Sequence, residues 1–381
     1  MASLDATVTV EVLNAHQIES LAAALEDAQA EITRLSISPP PDGTVLVLRC
    51  CDKDGRSHGG FQWPESGPVE CADWSALAVC GQGLHGWLWG EGDVSCSSIH
   101  GDPESRWYVV EVSAADVVDL GGKVKFPRGV VAFSGARVEA VAYLAARSPA
   151  GNRTIYGTAT AGDAGTATAG YAGTATAGVR GTATAGDAGT ATAGDAGTAT
   201  AGDAGTATAG VRGTATAGVR GTATAGYAGT ATAGYAGTAT AGVRGTATAG
   251  VRGTATAGVR GTATAGDAGT ATAGYAGTAT AGYAGTATAG DAGTATAGDA
   301  GTATAGVRGT ATAGDAGTIA IRYYDPKRDK YRVAIAEVGE NGIEPNTAYV
   351  LDADHRFVKK TDAHRDSLQV KASLQDLGGE G

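Results

Sequence analysis

The chain has 381 residues and a formal net charge of −11, from 28 basic and 39 acidic side chains. This balance excludes a protein that coats nucleic acid through charge, and 62 Gly against 4 Phe and 1 Met is not the composition of an ordinary globular enzyme. No run approaches the ~18 consecutive apolar residues of a membrane-crossing helix, so neither a membrane nor a nucleic-acid partner is expected. The opening MASLDATVTVEV lacks the basic start and apolar stretch of a secretory leader. The expectation is a cytoplasmic protein, or one released by lysis or a non-classical route.

Residues 1–43 read as a strand from Thr7 to Leu13, a helix capped by Asn14, and the breaker Ser38-Pro39-Pro40-Pro41-Asp42-Gly43. On that helix Ile18, Leu21, Leu25, Ala28, Ile32 and Leu35 alternate three- and four-residue steps, a short heptad seam. Such a seam packs on a neighbouring domain or, in a sharper reading of the 18–35 helix, joins two copies.

Residues 44–150 predict a compact α+β domain holding all five tryptophans, with strands Val45–Cys50, Trp107–Val112 and Val130–Phe133 and a closing helix Val138–Ala146. Its five cysteines are odd in number and include the adjacent pair Cys50-Cys51, which fits reduced thiols better than a disulfide framework. Cys71, Cys80, His85, Cys96 and His100 cluster in sequence, yet no C-x2-C or H-x3-H pair stands among them, so no metal is expected. His85 with Asp93, Glu91 and Cys80 could be drawn as an acid–base set. Without a nucleophile elbow or phosphate loop at mechanistic spacing, that reading is the weakest, and neither a catalytic residue nor a cofactor is expected.

From Gly157 to Ala316 the chain is twenty consecutive octapeptides, each GTATAG followed by two variable residues. The variable pair is Asp-Ala eight times, Val-Arg seven times and Tyr-Ala five times. A flexible linker is the bland alternative, but it has no reason to hold Thr-Ala-Thr in register twenty times. Alternating Thr and Ala reads as a strand of period two, and Gly-x-x-Gly as a tight turn whose glycines are free to take positive φ. One strand and one turn only reverse the chain, so two octapeptides make the smallest coil. The array then predicts a β-solenoid of about ten 16-residue coils, roughly 48 Å long at 4.7–4.9 Å between stacked strands.

Within each strand one residue type must face inward. Alanine inside makes a thin dry core, whereas buried threonine hydroxyls cost roughly 1–3 kcal/mol each unless they pair. Threonine outward is therefore favoured, with an inward hydroxyl ladder as the alternative. Outward threonines form two files on each face. One face begins with Thr158, Thr160, Thr174, Thr176, Thr190, Thr192, Thr206, Thr208, Thr222 and Thr224. The other begins with Thr166, Thr168, Thr182, Thr184, Thr198, Thr200, Thr214 and Thr216. These residues are the candidate ligand- or ice-binding positions.

The same coiling sorts the variable pairs onto two edges. The edge that begins at Asp163 carries five Arg against three Asp, and the one that begins at Tyr171 carries two Arg against five Asp. Unlike edges could associate, with Tyr171, Tyr227, Tyr235, Tyr275 and Tyr283 as candidate contacts, or the turns need polar residues only for solubility.

The segment Ala169-Gly170-Tyr171-Ala172-Gly173-Thr174-Ala175-Thr176 resembles the A-G-Y-G-S-T-x-T octapeptide of bacterial ice-nucleation proteins. That resemblance covers the array alone and implies 16-residue coils whose Thr-x-Thr files order water. This chain departs from it in using Ala-Gly for Gly-Ser, in having Tyr in five copies only, and in length. Separately, GGFQWPESGPVE (59–70), CGQGLHGWLWGEGD (80–93) and VVEVSAADVVDLGGKVKFPRG (109–129) resemble a domain of unknown function of phage and prophage proteins. This second likeness covers most of residues 50–147, implies a virion or mobile-element association, and brings no activity.

After the array, Thr318–Tyr324 and Tyr331–Val338 predict a hairpin, and Thr347–Leu351 with Arg356–Lys359 a second one, so that residues 317–360 cap the solenoid's open edge. The polar stretch 361–381 reads as a mobile tail. The sequence reading is a mostly β, non-enzymatic repeat protein whose Thr-x-Thr arrays serve as a rigid structural or binding surface. Ice binding through the outward threonines is its alternative.

Overall fold

The computed structural model describes residues 40–149 and 153–361, so the strand and helix expected within 1–36, and the tail, lie outside the described residues. The protein is mostly β, with a small N-terminal β domain followed by a β-solenoid of about ten turns.

The N-terminal domain is one antiparallel sheet of seven strands: β1 (Thr44–Cys51), β2 (Gly67–Glu70), β3 (Leu84–Leu88), β4 (Arg106–Ser113), β5 (Val118–Asp119), β6 (Val124–Phe126) and β7 (Arg128–Gly135). Their spatial order is β2-β7-β4-β1-β3-β6-β5. β1 is central, and both of its faces are therefore apolar: Leu46, Leu48 and Cys50 meet Trp87, Trp107 and helix α1 (Arg137–Ala145). Val47 and Cys51 meet Trp63, Tyr108 and Phe126 on the other side. Burial pushes the Cys51 thiol up to about 11, so it stays protonated and unreactive near neutrality.

In the solenoid, twenty short strands alternate between two sheets, from β8 (Thr158–Ala161) and β9 (Thr166–Thr168) to β26 (Thr302–Ala305) and β27 (Thr310–Thr312). Each strand stacks in parallel on the strand sixteen residues away, without a register shift: Thr206 pairs Thr222, Ala207 pairs Ala223 and Thr208 pairs Thr224. The alanines face inward. From Ala175 to Ala303 they alternate between 0% and 3% exposure, and the array's alanines form one continuous core.

The turns differ from the sequence expectation. Positive φ falls on the second variable residue, such as Ala204 (φ 54) or Arg220 (φ 58), and on none of the array glycines. A left-handed alanine or arginine costs about 1–2 kcal/mol. The backbone N–H of that residue donates to the next coil, Ala204 to Val219 O and Arg220 to Tyr235 O, each at 2.8 Å, which offsets the strain. The glycines serve close approach instead. A Cβ on Gly226 would lie 2.9 Å from the carbonyl carbon of Gly210 in the coil before, and one on Gly205 would lie 2.8 Å from the Ala201 methyl. Coils stack this tightly only where no side chain stands between them.

The two ends are finished differently. Residues 153–156 tie the first coils to the domain: Ile155 N donates to Gly90 O at 2.9 Å, and Tyr156 N to Tyr171 O at 2.7 Å. Around this strap Tyr156 packs edge-on against Trp107 and Tyr171, Arg137 lies over its ring, and its hydroxyl meets His100 Nδ1 at 2.7 Å. At the far end β28 (Thr318–Asp325) continues the parallel stack, but Ile319 and Ile321 take the alanine positions and widen the core. β29 (Lys330–Glu337) then pairs antiparallel with β28, and the hairpin of β30 (Tyr349–Leu351) and β31 (Phe357–Lys359) pairs antiparallel with β27. Reversing direction ends the parallel stack.

Candidate functional site

The candidate surface is the outer side of the two solenoid sheets. From Thr166 to Thr288 each array strand presents two threonines, the first exposed and the second half-buried beside its neighbours. Thr158, Thr174, Thr190, Thr206 and Thr222 stand in one file and Thr160, Thr176, Thr192, Thr208 and Thr224 in its companion. Thr166, Thr182, Thr198 and Thr214, with Thr168, Thr184, Thr200 and Thr216, form the matching pair on the second sheet. The same placement continues beyond the positions singled out from the sequence, through Thr286 and Thr288. Only near the cap does it fade, and Thr310 is buried.

Within a file, neighbours are about 4.7–4.9 Å apart, and the two files of a face are about 6.6–6.8 Å apart. The side chain is β-branched and stiff at χ1. Among the described residues no array hydroxyl is spent on a hydrogen bond within the protein, so the hydroxyls are available to solvent. The result is a two-dimensional mesh of fixed methyls and hydroxyls with no charge inside it, since charged residues occur only in the turns.

The edges hold a feature that the sequence reading missed. Asp163, Asp187, Asp195, Asp203, Asp267, Asp291 and Asp299 each turn Oδ1 onto the backbone N–H sixteen residues ahead, at 2.7–2.9 Å. The signal was there in principle, because an acceptor at a fixed turn position faces a backbone donor that recurs every coil. Of the edge tyrosines, Tyr227, Tyr235, Tyr275 and Tyr283 are exposed. Tyr171 instead packs edge-on against His100 and Tyr156 at the domain junction.

The acid–base set drawn around His85 is not assembled. His85 is half-buried on β3, and burial, reinforced by Lys123, Arg49 and Lys125, holds its pKa down at about 4. Asp93 is occupied in capping Ser95 N at 2.8 Å. The open groove beside β3 is lined by Leu88, Trp89, Glu91, Asp119 and Lys123, without His85 or Cys80. Among the described residues no group of three or more His, Cys, Asp and Glu side chains could hold a metal ion. No helix among them is long and apolar enough to cross a membrane.

Fold and surface thus define a β-solenoid repeat protein with threonine-covered faces. A domain of unknown function, DUF7666, matches residues 45–146. The chain is 40% identical over 117 residues to an ice nucleation protein of Xanthomonas campestris pv. translucens, covering 30% of this chain and 7% of that protein. It is 42% identical over 105 residues to one of Pseudomonas syringae (27% and 9%) and 39% over 102 residues to one of Pantoea ananas (26% and 10%). The match therefore spans about a tenth or less of the curated relatives' length. No solved structure matches.

Proposed function

We propose that this protein binds ice, or orders water into an ice-like layer, through the outward threonine files of its solenoid. The observation that carries the reading is the unbroken register of Thr-Ala-Thr from coil to coil, supported by the ice nucleation proteins among its relatives. A lattice is bound well by a surface whose groups already stand in fixed rows, because little side-chain entropy is lost on contact. The methyls offer dry contact area, and the free hydroxyls anchor the adjoining water. Thr158 to Thr224, as enumerated above, and their continuations along both sheets are the contact residues. Ten coils expose a short template, which favours adsorption to existing ice over starting its growth.

The sequence reading put a rigid structural spacer first and ice binding second, and the relatives favour the reverse order. In the spacer reading the threonines are solubilising strand residues. Neither reading calls on catalysis, and the phage or mobile-element association implied by the N-terminal resemblance bears on neither. Partition of labelled protein into a slowly growing ice front separates the two. An ice binder is enriched in the ice, and a spacer is excluded with other solutes.

A further inference from the structure

β29 is the last strand of its 12-stranded sheet, so its outer backbone edge has no strand partner among the described residues. It is eight residues long, twice the usual array strand, and pairs with β28 over its full length without a bulge. It contains no proline. On the side that continues the threonine face stand Tyr331 (55% exposed), Val333 (52%) and Ile335 (67%). A long, regular, apolar edge of this kind is a template for another strand.

We propose that this edge joins two copies of the chain tail to tail, the β29 strands pairing antiparallel about a two-fold axis through Val333. Charge selects the second copy and its direction. The turn end of the hairpin carries Lys327, Arg328, Lys330 and Arg332 against Asp325 and Asp329, and Asp325 is already engaged by Arg328 and Arg332. The other end carries Glu337 and Glu340 with no cation between them. Antiparallel pairing brings the net basic end of each strand to the acidic end of the other, whereas parallel pairing opposes like ends; the attraction is between ends, since Glu337 itself falls opposite the partner's Asp329. The two-fold also matches side chains: Tyr331 meets the partner's Ile335, Val333 meets itself, and on the opposite face Arg332 lies across from the small Ala334. Aromatic and β-branched pairs of this sort stabilise sheets. The contact is isologous and closes at two copies.

An axis normal to the sheet leaves the threonine files of both copies on the same side, one sheet running on into the next. Pairing does not depend on what the threonines bind. If they bind ice, the dimer doubles the length of the row.

The test is the molar mass of the full chain by light scattering after size exclusion, from a few to several hundred micromolar. The expected parent mass rises with concentration toward twice the chain mass, while V333K and I335K, both changes at exposed positions, stay monomeric with the parent's circular dichroism. Adding Y331E to I335K sets opposite charges across the seam, where these two positions face each other, and should restore the dimer, which a general loss of fold would not allow. A parent that is monomeric throughout overturns the proposal and leaves the edge to residues of the chain after 361 or to nothing. A dimer that survives V333K and I335K overturns it too, and places association elsewhere.

Discussion

The Oδ1 of Asp203 accepts the backbone N–H of Val219, sixteen residues ahead, at 2.7 Å, while the N–H of Asp203 itself is held by Asp187 at 2.8 Å. The aspartates are thus rungs between coils. Where the position is Val or Tyr, no side chain supplies that acceptor. Asp203→Ala should lower stability by about 0.5–1.5 kcal/mol, the ordinary worth of one hydrogen bond. Val243→Asp should raise it by a similar amount, because it offers an acceptor to Val259 N with Arg244 and Arg260 close by in sequence. Denaturant titration of the two variants checks both signs.

The division of labour in the turn gives an opposed pair. Gly226→Ala places a methyl against the Gly210 peptide, a neighbour that cannot rotate away, and should destabilise the array by more than 1 kcal/mol. Ala228→Gly, at φ 52, relieves left-handed strain and should raise stability by roughly 0.5–1 kcal/mol after the entropy cost of glycine. Thermal unfolding of the two distinguishes close packing from backbone conformation as the reason for each residue.

Core and surface respond oppositely to size. Ala223 is 0% exposed between the sheets, and Ala223→Leu should cost at least 1–3 kcal/mol through overpacking. Thr222→Tyr on the outside should leave the melting temperature within a few degrees of the parent. If the outer substitution is the more disruptive one, the inward and outward assignments are reversed.

His85 makes the domain sensitive to acid. Its folded pKa is about 4, against 6.5 for the free side chain, so between these values the unfolded chain takes up a proton that the folded one refuses. The stability it contributes is complete above pH 6.5, declines as the pH falls toward 4 and is gone below. Urea midpoints followed by tryptophan fluorescence should fall over that window, and His85→Gln should flatten the fall.

The solenoid was legible because period two and period eight coincide: methyl and hydroxyl alternate, and each coil repeats the previous one. The outward direction of Thr206 and Thr208 followed from the cost of burying hydroxyls. The seat of positive φ did not, because glycine has two uses and sequence alone does not separate conformational freedom from close approach. In the N-terminal domain β1, β4, β7 and α1 were readable from their apolar runs. β3 was not, since Leu84-His85-Gly86-Trp87-Leu88 looks like glycine-rich loop. Gly86 is there because a Cβ would strike Val47 and the Leu48 carbonyl on β1. The bonds of Asp187 and Asp203 lay hidden because they join residues sixteen apart, a contact that exists only once the coil has closed.

Ice shaping and thermal hysteresis of the purified chain, beside a variant with Thr206, Thr208, Thr214, Thr216, Thr222 and Thr224 replaced by Tyr, decide whether the threonine files bind ice. Ice binding through these files gives faceted crystals and a freezing gap with the parent, both lost in a variant whose circular dichroism is unchanged. Round crystals and no gap from a well-folded parent would contradict it.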